Sequence, residues 1–222
     1  MDKILFKLEN FNVSYKNLPA LKNISIEIRE GEKVVLIGPS GGGKTTLLKS
    51  LFELNPKQSS FIHQDFALVN QLSVFNNVYS AKLNEFSTFE NLKNLIIPNK
   101  IAVNNITPIL KSIGILDKIH TKVGELSGGQ KQRTAIAKSL YHDKKILIAD
   151  EPVSSVDPHR ADELFNKIVS STKTVIASLH NIDLAKKHAN RIIGISQGHI
   201  QFDIQTNEIT DTLLNNLFNP TH

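Results

Sequence analysis

The clearest chemistry in the sequence lies in a glycine-rich loop. It matches the pattern G-x-x-x-x-G-K-[ST] and consists of Gly38, Pro39, Ser40, Gly41, Gly42, Gly43, Lys44 and Thr45. Glycines let backbone N–H groups wrap a polyphosphate, Lys44 can reach its β and γ oxygens, and the Thr45 hydroxyl is a suitable ligand for Mg²⁺. The loop therefore predicts binding of ATP with Mg²⁺, and Thr46 extends the predicted ATP-binding set by one residue. A glycine turn without a ligand is the alternative.

Two adjacent carboxylates, Asp150 and Glu151, follow an apolar run at 146–149. Open α/β sheets bind their ligands at the carboxyl ends of the strands. We therefore expect Asp150 to hold Mg²⁺ and Glu151 to act as the general base that polarises the attacking water. The alternative is a solvated acidic turn, which the phosphate loop upstream disfavours.

A second glycine-containing segment lies at 126–130 and precedes a predicted helix over 131–141. It contains Ser127, Gly128, Gly129 and Gln130, and it presents hydroxyl and N–H donors that suit an anion. One nucleotide already has its phosphates bound by the first loop, so this second set is most useful toward a nucleotide held by another copy. A plain Ser N-cap explains the same residues equally well.

Predicted strands and helices alternate around these segments. Apolar and polar residues alternate over Ile4–Tyr15 and 24–28, which predicts antiparallel strands at the start of the chain. The continuous apolar run at 34–37 predicts a strand buried on both faces, and 145–149 and 174–179 are two further β-like runs. Helical spacing follows over 44–54 and from Pro158 onward. This alternation predicts an α/β fold with a mostly parallel sheet and an N-terminal antiparallel β part.

The stretch 72–141 is mostly of helical pattern. Ser87 and Glu90 are spaced as a capping box, and Thr107-Pro108 fits a helix start. We expect one domain, in which a helical lobe at about 67–141 is inserted into a core formed by 1–66 and 142–222. At the end of the chain, the sequence predicts a hairpin about Gln197-Gly198 and a short helix up to Pro220.

Composition narrows the functional classes. The formal net charge is +5, from 26 basic and 21 acidic residues, with no basic block longer than a pair, so we expect no nucleic-acid partner. There is no cysteine, and the remaining histidines lack ligand spacing, so no metal site is predicted beyond nucleotide-bound Mg²⁺. The apolar runs are far shorter than the roughly 18 residues of a membrane helix. Any link to a membrane would therefore go through a partner.

The three segments together resemble the ABC ATPases. The segments 38–45, 126–130 and 146–151 match, in this order, the Walker A, signature and Walker B motifs of that family. The resemblance covers nearly the whole chain, from about Leu5 to Leu217. It implies a P-loop, RecA-like core and a head-to-tail homodimer in which each ATP lies between the Walker A loop of one chain and the signature segment of the other.

Four lesser positions fit the family pattern as well. The resemblance implies that Gln64 is the Q-loop glutamine, which contacts Mg²⁺ and the attacking water, and that His180 is the switch histidine, which contacts the γ-phosphate. It also implies an adenine-stacking role for Tyr15, although a core aromatic at a strand end is the alternative. The last position is a D-loop at the dimer interface, formed by Ser154, Ser155 and Asp157.

Other stretches look most like the ATPase subunits of phosphonate importers; they are 72–78, 180–185, 191–194 and 198–203. The implied partners are transmembrane permease subunits and, indirectly, an extracytoplasmic solute-binding protein, with the chain peripheral on the cytoplasmic face of the membrane. The alternatives are a soluble ABC ATPase that drives a non-transport complex and a nucleotide-binding regulator with weak catalysis.

The chain departs from the family pattern in one informative place. Only residues 55–60 separate the helix after the phosphate loop from the next strand, where relatives insert a β excursion. A helix over 43–54 carries the chain about 18 Å away from the nucleotide edge at about 1.5 Å per residue, and a strand over 60–64 returns it by about 17 Å at about 3.3 Å per residue. We therefore expect Gln64 to reach the carboxyl edge of the sheet beside Lys44 and Asp150. A smaller antiparallel sheet follows from the same omission. A separate, lesser departure is Ile204 after Asp203, where Gly is usual, and it affects only a local turn.

Overall fold

The computed structural model describes residues 3–219, which form eight strands and eight α-helices together with short 3-10 turns. The strands are β1 (Ile4–Tyr15), β2 (Leu18–Arg29), β3 (Lys33–Ile37), β4 (Ser59–Ile62), β5 (Ile146–Asp150), β6 (Thr174–Ser178), β7 (Arg191–Ser196) and β8 (His199–Gln205). The helices are α1 (Lys44–Leu54), α2 (Val74–Tyr79), α3 (Thr88–Ile96), α4 (Lys100–Ser112), α5 (Gly128–His142), α6 (Pro158–Ser171), α7 (Ile182–His188) and α8 (Asp211–Phe218).

The central sheet has the strand order β4-β5-β6-β3-β7-β8. All neighbouring pairs are parallel except β7 and β8, which form an antiparallel hairpin. Because successive side chains in a strand point to opposite faces, β3 contributes Val34 and Leu36 to one hydrophobic cluster and Val35 and Ile37 to the other. The mostly parallel sheet is therefore buried on both faces, and the predicted fold class is confirmed.

A separate antiparallel sheet opens the chain and consists of β1 and β2 alone. The two strands are joined at Lys16 and Asn17, both with positive φ, which is the geometry of a tight hairpin turn. The inward-facing residues of this sheet pack with α1 and with one face of the central sheet. The small antiparallel part of the prediction is thus present.

The connection from α1 to β4 is short but complete. β4 pairs in parallel with β5, so that Ser59 lies opposite Ile146 and Ile62 opposite Ala149. The strand is one to two residues nearer the N-terminus than the predicted 60–64. Because β4 pairs with β5 at the edge of the parallel sheet, the omitted excursion removes no strand from the central sheet.

The segment between β4 and β5 is helical, as its pattern predicts, and contains α2 to α5. The capping box of α3 is present, with Ser87 and Glu90 bonding reciprocally. The prediction of a helix start at Thr107-Pro108 is wrong: α4 begins at Lys100 and continues through the exposed Pro108. A proline inside a helix costs about 3 kcal/mol, and the burial of Ala102, Ile106 and Leu110 on the same helix outweighs this cost.

Among residues 3–219, no helix is long and apolar enough to cross a membrane. The last helix, α8, ends at Phe218, and Pro220, the predicted end point of that helix, lies outside the described residues.

Candidate functional site

The phosphate loop joins β3 to α1 and follows a path that its glycines permit. Gly38 and Gly43 have φ values of +144° and +112°, a region that favours glycine. A side chain at Gly38 would also collide with the backbone of Ile195, and one at Gly43 would press on Leu21. The loop is therefore held between β7 and β2, with its backbone wrapped around an open cavity.

Lys44, at the start of α1, is folded back into this loop. Its Nζ donates to the carbonyl oxygens of Gly38, at 2.7 Å, and of Pro39, at 2.9 Å. Burial lowers the pKa of Lys44, and the nearby carboxylates of Glu151 and Asp150 partly oppose this shift. The ammonium group is thus a buried charge that the protein satisfies with two carbonyl groups, beside the place where a phosphate anion would fit.

Asp150, at the end of β5, has hydrogen bonds to both carboxylate oxygens. Oδ2 accepts from the Thr45 hydroxyl at 2.7 Å, and Oδ1 accepts from the Ser178 hydroxyl at 2.6 Å. Ser178 also accepts from the backbone N–H of Glu151 at 2.9 Å, so it orients both acidic residues. Sequence reasoning missed Ser178; the signal available was its position two residues before His180, at the end of a predicted strand.

Glu151 pairs with His180, with 2.6 Å between Oε1 and Nε2. The glutamate has a φ of +50°, an uncommon backbone conformation for this residue type. Its carboxylate and the imidazole come from the ends of neighbouring strands, β5 and β6, and meet at the carboxyl edge of the sheet. This arrangement can polarise a water molecule and accept its proton.

A cavity of about 540 Å³, within the usual size of small-molecule sites, is lined by Lys44 and Glu151, whereas His180 lines a separate cavity on the other side of its contact with Glu151. The lining of the larger cavity includes phosphate-loop residues, Gln64 and Glu151. Gln64 also lines a neighbouring cavity of about 330 Å³ together with Thr45 and Asp150. The edge strand β4 therefore delivers Gln64 to the phosphate loop, where the length argument places it.

The opposite wall of the large cavity comes from β2 and from the turn between β7 and β8. It contributes Pro19, Ala20, Lys22, Gln197 and Gly198. Backbone hydrogen bonds tie this wall to the loop, since Gly198 donates to the Gly42 carbonyl at 3.0 Å. The sequence predicts the turn at Gln197-Gly198 but not that these residues line the cavity, because the wall forms only where β2 and that turn meet in the folded chain.

Tyr15 does not line this cavity. It lies at the end of β1, beside the hairpin turn, and is 56% exposed. The ring is therefore exposed and is not the core aromatic of the alternative interpretation, and its adenine-stacking role stays a prediction.

The signature segment, residues 126–130, lies outside the chain's own nucleotide cavity. Ser127 caps α5 and forms a capping box with Gln130, whose side chain accepts from the Ser127 N–H at 2.9 Å. Gly129 packs on the segment 154–157, where an added Cβ would lie 3.1 Å from the Ser155 carbonyl oxygen. The chain thus brings its signature and D-loop segments together but leaves both apart from its phosphate loop.

A buried glutamine, Gln132, connects the D-loop segment to Glu151. Gln132 donates to the Glu151 carbonyl oxygen at 3.2 Å and accepts from the Ser155 N–H at 3.0 Å. Ser154 lies within 3.5 Å of the same amide, while Asp157 caps α6. Gln132 is a further residue that sequence reasoning missed, because its partners lie in the stretch 151–155, about 20 residues further along the chain.

The residues fit a bound Mg²⁺ ion. The donor set of Thr45 hydroxyl, Asp150 carboxylate and Gln64 amide oxygen consists of hard oxygen ligands, which Mg²⁺ prefers. The 2.7 Å contact between Thr45 and Asp150 shows that the two oxygens already lie side by side. Elsewhere among residues 3–219, no group of three or more His, Cys, Asp or Glu side chains forms a candidate metal site.

The fold and the site define a P-loop nucleoside triphosphatase, with a glutamate–histidine pair at the carboxyl edge of its sheet. The ABC transporter family model matches residues 21–154. The chain is 32% identical to a phosphonates import ATP-binding protein of Nostoc sp. over 97% of this chain and 92% of that protein. It is 34% identical to a hypophosphite import ATP-binding protein of Stutzerimonas stutzeri over 98% of this chain and 72% of that protein.

Solved structures agree with this relationship. A bacterial ABC transporter cassette solved as a dimer has a TM-score of 0.78 at 25% identity and covers 91% of this chain and 99% of its own. A dimeric ATP-binding cassette in a post-hydrolysis state, bound to ADP and phosphate, has a TM-score of 0.75 at 26% identity, with the same coverage. The chain belongs to the ABC transporter family and is an ATP-hydrolysing cassette of that family.

Proposed function

We propose that this chain binds and cleaves Mg-ATP between two copies of itself and so powers import of a small oxyanion, a phosphonate or a related compound, through a separate membrane permease. The observation that carries the proposal is the separation of the two anion-binding segments. Lys44 and its loop bind one face of a nucleotide, whereas Ser127 and its glycines lie outside that cavity. A head-to-tail pair of copies would place each Ser127 on the partner's nucleotide.

The roles of the site residues follow from their contacts. On entry of ATP, Lys44 would exchange its two carbonyl partners for phosphate oxygens, since a charged acceptor is stronger than a carbonyl. Glu151 would accept the proton of the attacking water, and His180, 2.6 Å away, would orient that carboxylate and contact the γ-phosphate. Gln64, which lines the same cavity as Glu151, would contact the same water.

Thr45, Asp150 and Gln64 would hold Mg²⁺ when nucleotide is bound. The ion supplies charge neutralisation on the β and γ oxygens. The Ser178 hydroxyl keeps the Asp150 carboxylate in the orientation that this role requires. The chain's own contribution is thus to hold the oxygen ligands in place before the ion and the nucleotide arrive.

The choice of an oxyanion as cargo is supported by the relatives, which are named for import of phosphonates and hypophosphite. The cassette touches no cargo in this scheme, because the permease and a solute-binding protein on the outer side would select it. The chain would lie on the cytoplasmic face of the membrane, attached through the permease.

The proposal is tested by purifying the chain from native membranes under mild detergent. We expect a membrane permease to copurify and ATP turnover to rise when the complex is supplied with its solute-binding protein loaded with a phosphonate. Copurification of a complex that contains no membrane permease would indicate a soluble ABC ATPase with a non-transport role. Retention of ATP binding without turnover would indicate a regulator.

A further inference from the structure

A second cavity, of about 440 Å³, lies away from the nucleotide site between the end of α4, α5 and α6. Its lining carries four basic side chains, Lys111, Arg133, Arg160 and Lys167, and one carboxylate, Glu163, within the described part of the chain. Three separate helices contribute these cations. The like charges are therefore brought together by the fold and not by a local run in the sequence.

Arg133 is the best positioned of the four. Its Nη1 donates to the Gly114 carbonyl oxygen at 2.8 Å, and its Nε donates to the Gly129 carbonyl oxygen at 3.3 Å. The side chain is partly buried, and a guanidinium group has five N–H donors in a fixed plane. Two of them are used by these carbonyls, which leaves Nη2 with both donors for a ligand in the cavity that Arg133 lines.

The charges around Arg133 favour an added anion. Burial and the positive charge of Arg160 lower the pKa of Arg133, while the carboxylates of Asp117 and Asp157 raise it. The charged groups facing the cavity are balanced in part by Glu163, and Lys111 and Lys167 have no ion-pair partner among residues 3–219. Arg160 is paired with Asp157 at 3.6 Å. The lining still carries more cations than carboxylates, and this positive balance is the electrostatic setting of a site for an anion.

We propose that this cavity binds a small dianionic oxyanion of the phosphate or phosphonate type, held by Arg133, Arg160 and Lys167. Arg supplies paired N–H donors that match two oxygens of such a group, and Lys167 supplies a point charge. The site goes beyond the proposed ATPase role, since it is separate from the phosphate loop. Its effect would reach the signature segment through the contact between Arg133 and Gly129.

The test measures anion binding to the full chain carrying Lys44→Ala, a substitution that weakens anion binding at the phosphate loop. Inorganic phosphate and methylphosphonate are titrated by calorimetry at constant ionic strength in potassium chloride. We expect saturable binding of one equivalent of either anion, and at least tenfold weaker binding after Arg160→Gln with Lys167→Gln. The matched control, Lys93→Gln with Lys100→Gln, removes two exposed positive charges elsewhere on the helical segment and should change affinity less than twofold.

Hydrogen exchange locates the anion. We expect phosphate to slow amide exchange at 112–116 and 128–134, because a bound anion orders Arg133 and the two carbonyl groups it contacts. Binding of both anions supports a site for the dianionic group that phosphate and methylphosphonate share. Binding of only one of them shows which of the two compounds the site selects. Protection confined to the phosphate loop, equal weakening in the control, or no saturation up to about 10 mM anion would overturn the proposal.

Discussion

The two anion-binding segments of this chain differ in how complete they are. At the phosphate loop, Lys44, Thr45 and Asp150 are buried or partly buried and already hydrogen-bonded to protein groups. At the signature segment, Ser127 is exposed, its hydroxyl accepts from the Gln130 N–H within the capping box, and the residue lies outside the cavity. The first region is preorganised within one copy. The signature segment is ordered by its capping box but does not line its own chain's nucleotide cavity, as expected of a segment that contributes to a partner's site.

Removal of the loop cation should have the largest effect. We expect Lys44→Ala to weaken ATP binding at least about a hundredfold, because two or more charge-assisted hydrogen bonds of about 1.5–3 kcal/mol each are lost. Calorimetry with the Mg-nucleotide measures this directly. Lys57→Ala, which removes an exposed lysine in the turn after α1, is the control and should bind normally. Unchanged affinity in Lys44→Ala would remove this residue from the site.

The second-largest effect is expected for Glu151, the proposed general base. Glu151→Gln should retain ATP binding and lose turnover by about 10²- to 10⁴-fold, since the amide can hold the water but cannot accept its proton. A steady-state phosphate-release assay beside a binding titration separates the two effects. Substantial turnover in the variant would mean that another group, such as His180, is the base.

A substitution in the signature segment should leave ATP binding by the single chain intact. Ser127→Arg places a bulky cation in the second segment, and we expect near-normal ATP affinity for the single chain with turnover reduced at least about tenfold. Ser87→Arg is a matched control, because Ser87 is also an N-cap with a capping box and its loss costs about 1 kcal/mol of stability. If Ser127→Arg weakened binding by the single chain, Ser127 would serve its own chain's nucleotide.

The smallest effect concerns orientation of the acidic pair. Ser178→Ala removes the hydroxyl between Asp150 and the Glu151 N–H, and we expect it to cost about 1–3 kcal/mol of stability and to lower turnover several-fold. Ser196→Ala, at the end of β7, is the control for loss of a buried serine at a strand end. Denaturant unfolding and turnover measured on both variants test the difference. Equal effects would assign Ser178 a packing role only.

The sequence predicted the segments whose chemistry is local. The phosphate loop, the carboxylates after β5 and the cap at Ser127 each depend on residues within about eight positions of one another, so spacing alone identifies them. The length of the chain between α1 and β4 was likewise enough to place Gln64 at the sheet edge.

Contacts between distant segments were not predictable in this way. Ser178 contacts Asp150 only because β5 and β6 are neighbours in the sheet. Gln132 contacts Glu151 only because α5 packs beside the end of β5 in the folded chain. The cavity wall at Lys22 and Gln197 depends on two turns that meet only in the folded chain. At Pro108 the local rule failed, because burial along α4 outweighed the cost of one missing backbone hydrogen bond.

The central claim is that ATP lies between two copies of this chain, and light scattering coupled to size exclusion tests it most directly. Glu151→Gln, which holds ATP without cleaving it, should run as a monomer without nucleotide and at about twice that mass with Mg-ATP. The same protein with Ser127→Arg added should remain a monomer with Mg-ATP. A monomer under all conditions, or an ATP-dependent dimer that Ser127→Arg leaves intact, would contradict the account.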